Sequence, residues 1–155
     1  MNWIDTSNIT DMSNLFFNTK YNGDISEWDV SNVTNMYRMF NCAKLFNQPI
    51  GNWNVSNVIN MSFMFFNAIN FDQPIGNWDV SNVTNMGYMF NNATNFNQPI
   101  GNWDINKIYN MEKMFKNAKS FNQDISNWNL NKVFYKDKIF YNCQINKEYM
   151  PKIFN

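Results

Sequence analysis

Three aspartates, Asp29, Asp79 and Asp104, each directly follow a tryptophan, and Asn54 and Asn129 hold the same place in other units of the chain. If those units stack about 5 Å apart, the spacing of paired strands, Asp79 and Asp104 become neighbours. Paired carboxylates at that range suit general acid–base work, and with nearby Asn oxygens they suit a weak Ca²⁺ site. Nothing convergent accompanies them. The chain has no histidine, and no Asp-rich loop with a fixed set of ligands is present. The column therefore reads as a solvated ladder, no catalytic, cofactor-binding or metal-binding residue is assigned, and the expectation is a protein that is not an enzyme. Cys42 and Cys143 lie four units apart, roughly 19 Å at the strand spacing, too far for a disulfide. Cys143 shares a column with Ala43, Ala68, Ala93 and Ala118, so it reads as a small buried hydrophobe.

The elements that would carry such columns follow from one register. Trp3, Trp28, Trp53, Trp78, Trp103 and Trp128 are spaced 25 residues apart without a slip. At fixed offsets from each Trp come Val or Ile, then Met, Met-Phe, Ala, Phe and Ile; in the unit of Trp78 these are Val80, Val83, Met86, Met89-Phe90, Ala93, Phe96 and Ile100. A period in the twenties is the signature of stacked repeats, each burying its apolar edge on its neighbours. Within a unit, Trp78 and Val80 alternate with Asp79 as a short strand does. Met86, Met89, Phe90 and Ala93 follow the i, i+3, i+4, i+7 spacing of a helix face, with Ser81, Asn82 or Thr84 as N-cap. Pro99 and Gly101 then return the chain. The expected fold is an α/β solenoid: a right-handed, leucine-rich-repeat-like stack of about six strand–helix turns with a parallel sheet on one face. One repeat domain is expected over 1–155: an irregular first turn (1–27), regular repeats (28–127), a degenerate last turn (128–143) and a C-terminal cap (144–155) carrying Ile145, Tyr149, Met150, Ile153 and Phe154.

Composition agrees with an ordered core: 45% of residues are hydrophobic and 18% aromatic, which sets the chain apart from a low-complexity asparagine tract. No apolar run approaches a membrane span, and the N-terminal residues show no signal peptide or lipidation pattern. Net charge is zero, yet residues 1–106 hold three basic and eight acidic side chains and residues 107–155 nine basic and four acidic. The result is a dipolar rod. Between Lys44 and Lys107 there is no Lys or Arg, which argues against nucleic acid as partner. Lys113, Lys116 and Lys119 would share a helical face near the basic end, read as solvated.

Asparagines form further columns: Asn52, Asn77, Asn102 and Asn127 before Trp; Asn35, Asn60, Asn85 and Asn110 before Met; Asn67, Asn92, Asn117 and Asn142 later. Most are assigned to pairing the backbone groups that every coil leaves open. Six N-x-S/T sequons arise from the repeated phrase and carry little weight. The Trp column reads as core, sharing a face with the Val column, rather than as an exposed aromatic platform for sugars.

The phrase W-D-V-S-N-V-T-N-M, intact at Trp28–Met36 and Trp78–Met86, resembles the repeats of the BspA-type leucine-rich-repeat surface protein family, first catalogued as a mycoplasma lipoprotein domain of unknown function. The resemblance covers residues 1 to about 143. It implies a leucine-rich-repeat-like stack and a secreted or lipid-anchored protein that binds host proteins or other cells; no signal peptide or anchor is visible in the chain to set its location. With Trp and Val inward, their neighbours Asn52, Asn54, Asn77, Asp79, Asn102 and Asp104 form an outward polar strip, the expected face for a protein or cell-surface ligand. A glycan is the alternative ligand. The competing expectation from a different class is a structural rod that self-associates end to end through its oppositely charged ends.

Overall fold

The repeated apolar positions impose a stack, but the backbone fills it without regular secondary structure. The computed structural model describes residues 4–154, so Trp3 and Asn155 lie outside the described residues. Each coil returns to its starting point after one repeat and bonds to the next through alternate backbone N–H groups. Met61, Phe63, Phe65 and Asn67 donate to the carbonyls of Asn85, Gly87, Met89 and Asn91 at 3.0, 2.9, 3.0 and 2.8 Å. The N–H groups between them close turns inside the coil: Met64 to Met61 at 3.2 Å, Phe66 to Phe63 at 3.1 Å and Ala68 to Phe65 at 3.1 Å.

This corrects the expected helix. An α-helix commits successive N–H groups to its own carbonyls four residues back, whereas here half of them point along the stack. The segment is a run of overlapping β-turns with a positive φ at Phe63 (58°) and Asn67 (58°), the third position of a type II turn. Two left-handed residues per coil interrupt any helix, and the same two positions are left-handed in every coil, down to Lys138 and Asn142. The turn run still buries Met61, Met64, Phe65 and Ala68 completely. A chain of turns thus reproduces the apolar spacing of a helix face.

The expected parallel sheet is absent as well. Among the described residues pairing is limited to isolated parallel bridges, Asp11–Asn35, Asn35–Asn60, Asn60–Asn85, Asn85–Asn110 and Asn110–Tyr135. The Trp–x–Val segment that read as a strand is enclosed by two turns, closed by Trp53 N–H on Ile50 at 3.2 Å and Val58 N–H on Val55 at 2.9 Å. Turns on both sides leave no length for a strand. Among the described residues the only helices are two short 3-10 turns in the tail, Lys147–Tyr149 and Lys152–Phe154, and no helix there is long and apolar enough to cross a membrane. The strand–helix solenoid is therefore replaced by stacked coils of turns.

The core is a set of columns. Phe16, Phe40, Phe65, Phe90, Phe115 and Phe140 stack nearly parallel, with successive ring centroids 5.4, 5.5, 5.7, 5.6 and 5.9 Å apart. Inside each regular coil a second Phe lies against the first, as Phe90 on Phe96 at 4.0 Å. Trp28 to Trp128 are at most 8% exposed. A buried indole N–H usually finds an acceptor: Trp53, Trp78 and Trp103 donate to Ile25, Ile50 and Ile75 in the preceding coil at 3.2, 3.1 and 3.2 Å, whereas the Trp128 N–H has none among the described residues. The tryptophans are rungs of the core. Both cysteines are free thiols; Cys42 takes a left-handed Asn position with φ 60°, and burial pushes the Cys143 thiol up to about 11.

The tail crosses the last coil. Ile125 donates to the carbonyl of Tyr149 at 3.0 Å, Ile145 and Pro151 are buried, and Tyr149 and Met150 pack on the core.

Close stacking makes one glycine column sensitive. A Cβ on Gly76 would run into the backbone carbonyl of Pro99 in the next coil, while a Cβ on Gly87 would meet the movable side-chain amide of Asn110. Ser62 and Glu112 stand where Gly87 does in other coils. Gly76→Ala is expected to cost about 1–3 kcal/mol through overpacking, and Gly87→Ala no more than about 0.5 kcal/mol. Equal urea midpoints for the two variants would contradict this packing.

Candidate functional site

Asparagines and aspartates sort by what their side chains already hold. In the column before Met, each side-chain oxygen accepts the N–H two residues on, as Asn60 from Ser62 at 3.0 Å, Asn85 from Gly87 at 3.0 Å and Asn110 from Glu112 at 2.9 Å. These Asx turns start the turn run. In the late column, Asn92, Asn117 and Asn142 take φ of 60°, 60° and 56°, which Asn tolerates better than most residues. Their amides link coil to coil, Asn117 to Asn92 at 2.7 Å and Asn142 to Asn117 at 2.9 Å.

A third ladder escaped the sequence reading, which treated FNQPIG as a returning loop. Asn47 Oδ1 accepts the N–H of Asp72 and the amide of Gln73, both at 2.9 Å. Asp72 Oδ1 does the same for Asn97 at 2.9 Å and Gln98 at 2.8 Å, and Asn97 Oδ1 for Asn122 at 2.9 Å and Gln123 at 3.0 Å. The signal was the Asn-Gln or Asp-Gln pair at a fixed offset before Trp53, Trp78, Trp103 and Trp128. These side chains are consumed by the fold.

The predicted strip divides in two. Asn54, Asp79 and Asp104 are exposed, but each caps its own turn: Asn54 accepts from Ser56 N–H at 3.2 Å, Asp79 from Ser81 N–H at 3.0 Å and Asp104 from Asn106 N–H at 3.1 Å. Ser81, through its side chain and then its N–H, holds the Asp79 carboxyl below the usual carboxylate range, with a smaller contribution from Lys107. No hydrogen bond joins Asp79 to Asp104. Asn52, Asn77 and Asn102 are exposed, and their side chains make no hydrogen bond with any described residue. They line shallow furrows between coils, Asn52 and Asn77 beside Pro49, Gly51 and Pro74, and Asn77 and Asn102 beside Pro74, Gly76 and Pro99. One coil further on, Asp104 shares a furrow with Asn127 and Asn129, so both rows open onto the same side.

The turn face carries a strip that sequence reasoning missed. The Arg38 guanidinium lies over the rings of Tyr37 and Phe63, 5.0 and 5.3 Å from their centroids, and Phe63 stacks on Tyr88 at 4.5 Å. Lys113 sits over Tyr88 and pairs with Glu112 at 2.7 Å; Glu112, then Tyr88, raise its ammonium pKa. With no helix present, Lys113, Lys116 and Lys119 do not form the expected face: Lys113 is left-handed with φ 51°, and Lys116 lies over Tyr141. Among the described residues no three Cys, Asp or Glu side chains converge on one point.

The capping aspartates make stability depend on acid. The carboxyl pKa values of Asp29 and Asp79 are depressed by bonds from Ser31 and Ser81. Their contribution is complete above the unfolded value of about 3.9 and disappears as pH falls through the lower folded value. Asp29→Asn with Asp79→Asn, copying Asn54 and Asn129, keeps the caps and is expected to flatten the loss of melting temperature below about pH 4. Superimposable acid profiles for the parent and the double variant would refute this role.

No curated protein and no solved structure is significantly similar to the chain. The family described as "Mycoplasma protein of unknown function, DUF285" matches residues 1–80 and 50–152, two overlapping segments that together span nearly the whole repeat array. This protein belongs to that family.

Proposed function

We propose that the protein is a non-catalytic binding module that takes an extended segment of a protein or cell-surface partner along the furrow of Asn52, Asn77 and Asn102, flanked by Asn54, Asp79 and Asp104. The observation that carries this reading is the contrast among asparagine columns. Those before Met, late in the coil and in the FNQ phrase are occupied by internal bonds, whereas three amides in register face solvent with both donor and acceptor free. An unused amide repeated in three successive coils matches a ligand whose backbone offers hydrogen-bonding groups at a regular interval. The absence of Lys and Arg from 45–106 and the presence of Glu27, Asp79 and Asp104 give the furrow an acidic character suited to a donor-rich or basic segment.

A glycan fits less well, because the tryptophans that would stack on sugar rings are buried. The BspA-type resemblance of the W-D-V-S-N-V-T-N-M phrase supports a surface and adhesion setting for the same reading.

Replacing Asn52, Asn77 and Asn102 together by Ala removes three side chains that hold nothing in the fold. Melting temperature is expected to stay within the range of ordinary surface changes. Binding to an array of host extracellular proteins and to intact host cells, measured against the parent, is expected to fall about 100-fold, from about 1 kcal/mol per lost hydrogen bond. Unchanged binding, or equal loss when Lys116 and Lys119 on the turn side are replaced instead, would remove the furrow as the ligand face.

A further inference from the structure

The two ends of the stack carry complementary halves of one interface, and we infer that a second copy of this chain adds head to tail, its N-terminal coil on the C-terminal coil of the first. Between the last two coils, Met111, Lys113, Phe115 and Asn117 donate to Tyr135, Asp137, Ile139 and Tyr141 at 2.8, 2.9, 3.0 and 2.9 Å. The matching N–H groups of the last coil, on Lys136, Lys138, Phe140 and Asn142, have no partner among the described residues. At the opposite end the first coil donates through Met12, Asn14, Phe16 and Asn18, but its own carbonyls at Asp11, Ser13, Leu15 and Phe17 accept nothing from any described residue. Four donors at one end therefore face four acceptors at the other, at the same alternate spacing.

Conformation selects the occupant. The open donors sit on a turn run that is left-handed at Lys138 and Asn142, with φ 53° and 56°. An ordinary extended strand has no positive φ and cannot follow that path. The first coil does follow it, with φ of 59° and 53° at Asn14 and Asn18. Charge agrees: Asp11 heads the bridge column that ends at Tyr135, so an incoming Asp11 arrives beside Lys136 and Lys138, and Asp5 arrives on the side of Lys132. Asp137, already 4.0 Å from Lys138, is the one acid in that stretch of the last coil. A contact between unlike ends repeats without closing and yields linear chains.

The tail sets the condition for growth. Phe154 stands edge-on against Phe140, centroids 5.4 Å apart at 84°, the ring on which the incoming Phe16 would stack. Neither tail 3-10 turn buries a residue, so Lys152–Phe154 can yield while the bond of Ile125 to Tyr149 stays closed. This inference rests on the coil ends and is independent of the furrow.

Sedimentation velocity of the full chain over a concentration series, at low and high salt, tests it. The parent is expected to form end-to-end oligomers that weaken with salt. Asp11→Asn, which preserves the turn bond that Asn makes in the other coils, is expected to weaken association about two- to fivefold, and Phe154→Ser to strengthen it. Amide exchange at Lys136, Lys138, Phe140 and Asn142 is expected to slow as parent concentration rises, a readout that does not depend on how any variant folds. Monomers at every concentration in both parent and Phe154→Ser, oligomers indifferent to salt and to Asp11, or exchange at those four amides unchanged by concentration would each overturn the inference.

Discussion

Every coil but the last directs alternate N–H groups of its turn run to carbonyls of the next coil, and the rest of the molecule is arranged around that one bonding scheme. From the coil of Met36 onward it runs at a constant repeat length, whereas Met12 reaches Asn35 across a coil one residue shorter and keeps the same ladder. It also explains why helix and strand are both missing. A helix would keep its N–H groups to itself, and a sheet would need several consecutive extended residues to give both N–H and C=O to neighbours. The turn run does neither completely; it closes a coil and joins coils with the same stretch of chain.

Such a backbone leaves many polar groups inside or at the margin of a narrow stack, and an unpaired buried group costs about 1–3 kcal/mol. Asparagine answers this in three separate ways: as an Asx cap, as a residue that accepts a left-handed φ, and as an amide linked to the coil behind it. Asp72 and Cys42 show the limits of the rule. Asp72 retains the acceptor role of the FNQ ladder, whereas Cys42 retains the left-handed turn and offers only a sulfur at 3.6 Å to Asn67. The phenylalanine and tryptophan columns complete the arrangement from within, since parallel rings one coil apart are the side-chain counterpart of the backbone ladder.

A surface built this way is mostly used up by the fold, and that narrows where recognition can occur. The furrow of Asn52, Asn77 and Asn102 has free amides and acidic neighbours but little apolar area. The turn face has rings and cations, but Tyr88, Glu112 and Lys113 satisfy one another there, and Arg38 lies over the rings of Tyr37 and Phe63. The two faces therefore differ in kind: one presents unpaired amides to solvent, the other stacks rings and cations along the coils.

The sequence alone determined the period, the number of coils, the identity of the buried columns and the outward direction of the residues flanking Trp, because each of these depends only on side-chain polarity repeated at a constant interval. It also placed Asn52, Asn77 and Asn102 in one line. It did not reveal the backbone, since a run of turns and a helix bury the same i, i+3, i+4, i+7 positions, and Trp–x–Val alternates alike in a strand or between two turns. The φ values at Phe63 and Asn67 separate those alternatives. Nor did it reveal which asparagines were free, because an amide in Asn47 and one in Asn52 are chemically identical. Only the tertiary structure decided that, by setting a backbone N–H and a glutamine amide from the next coil against the first and open solvent against the second.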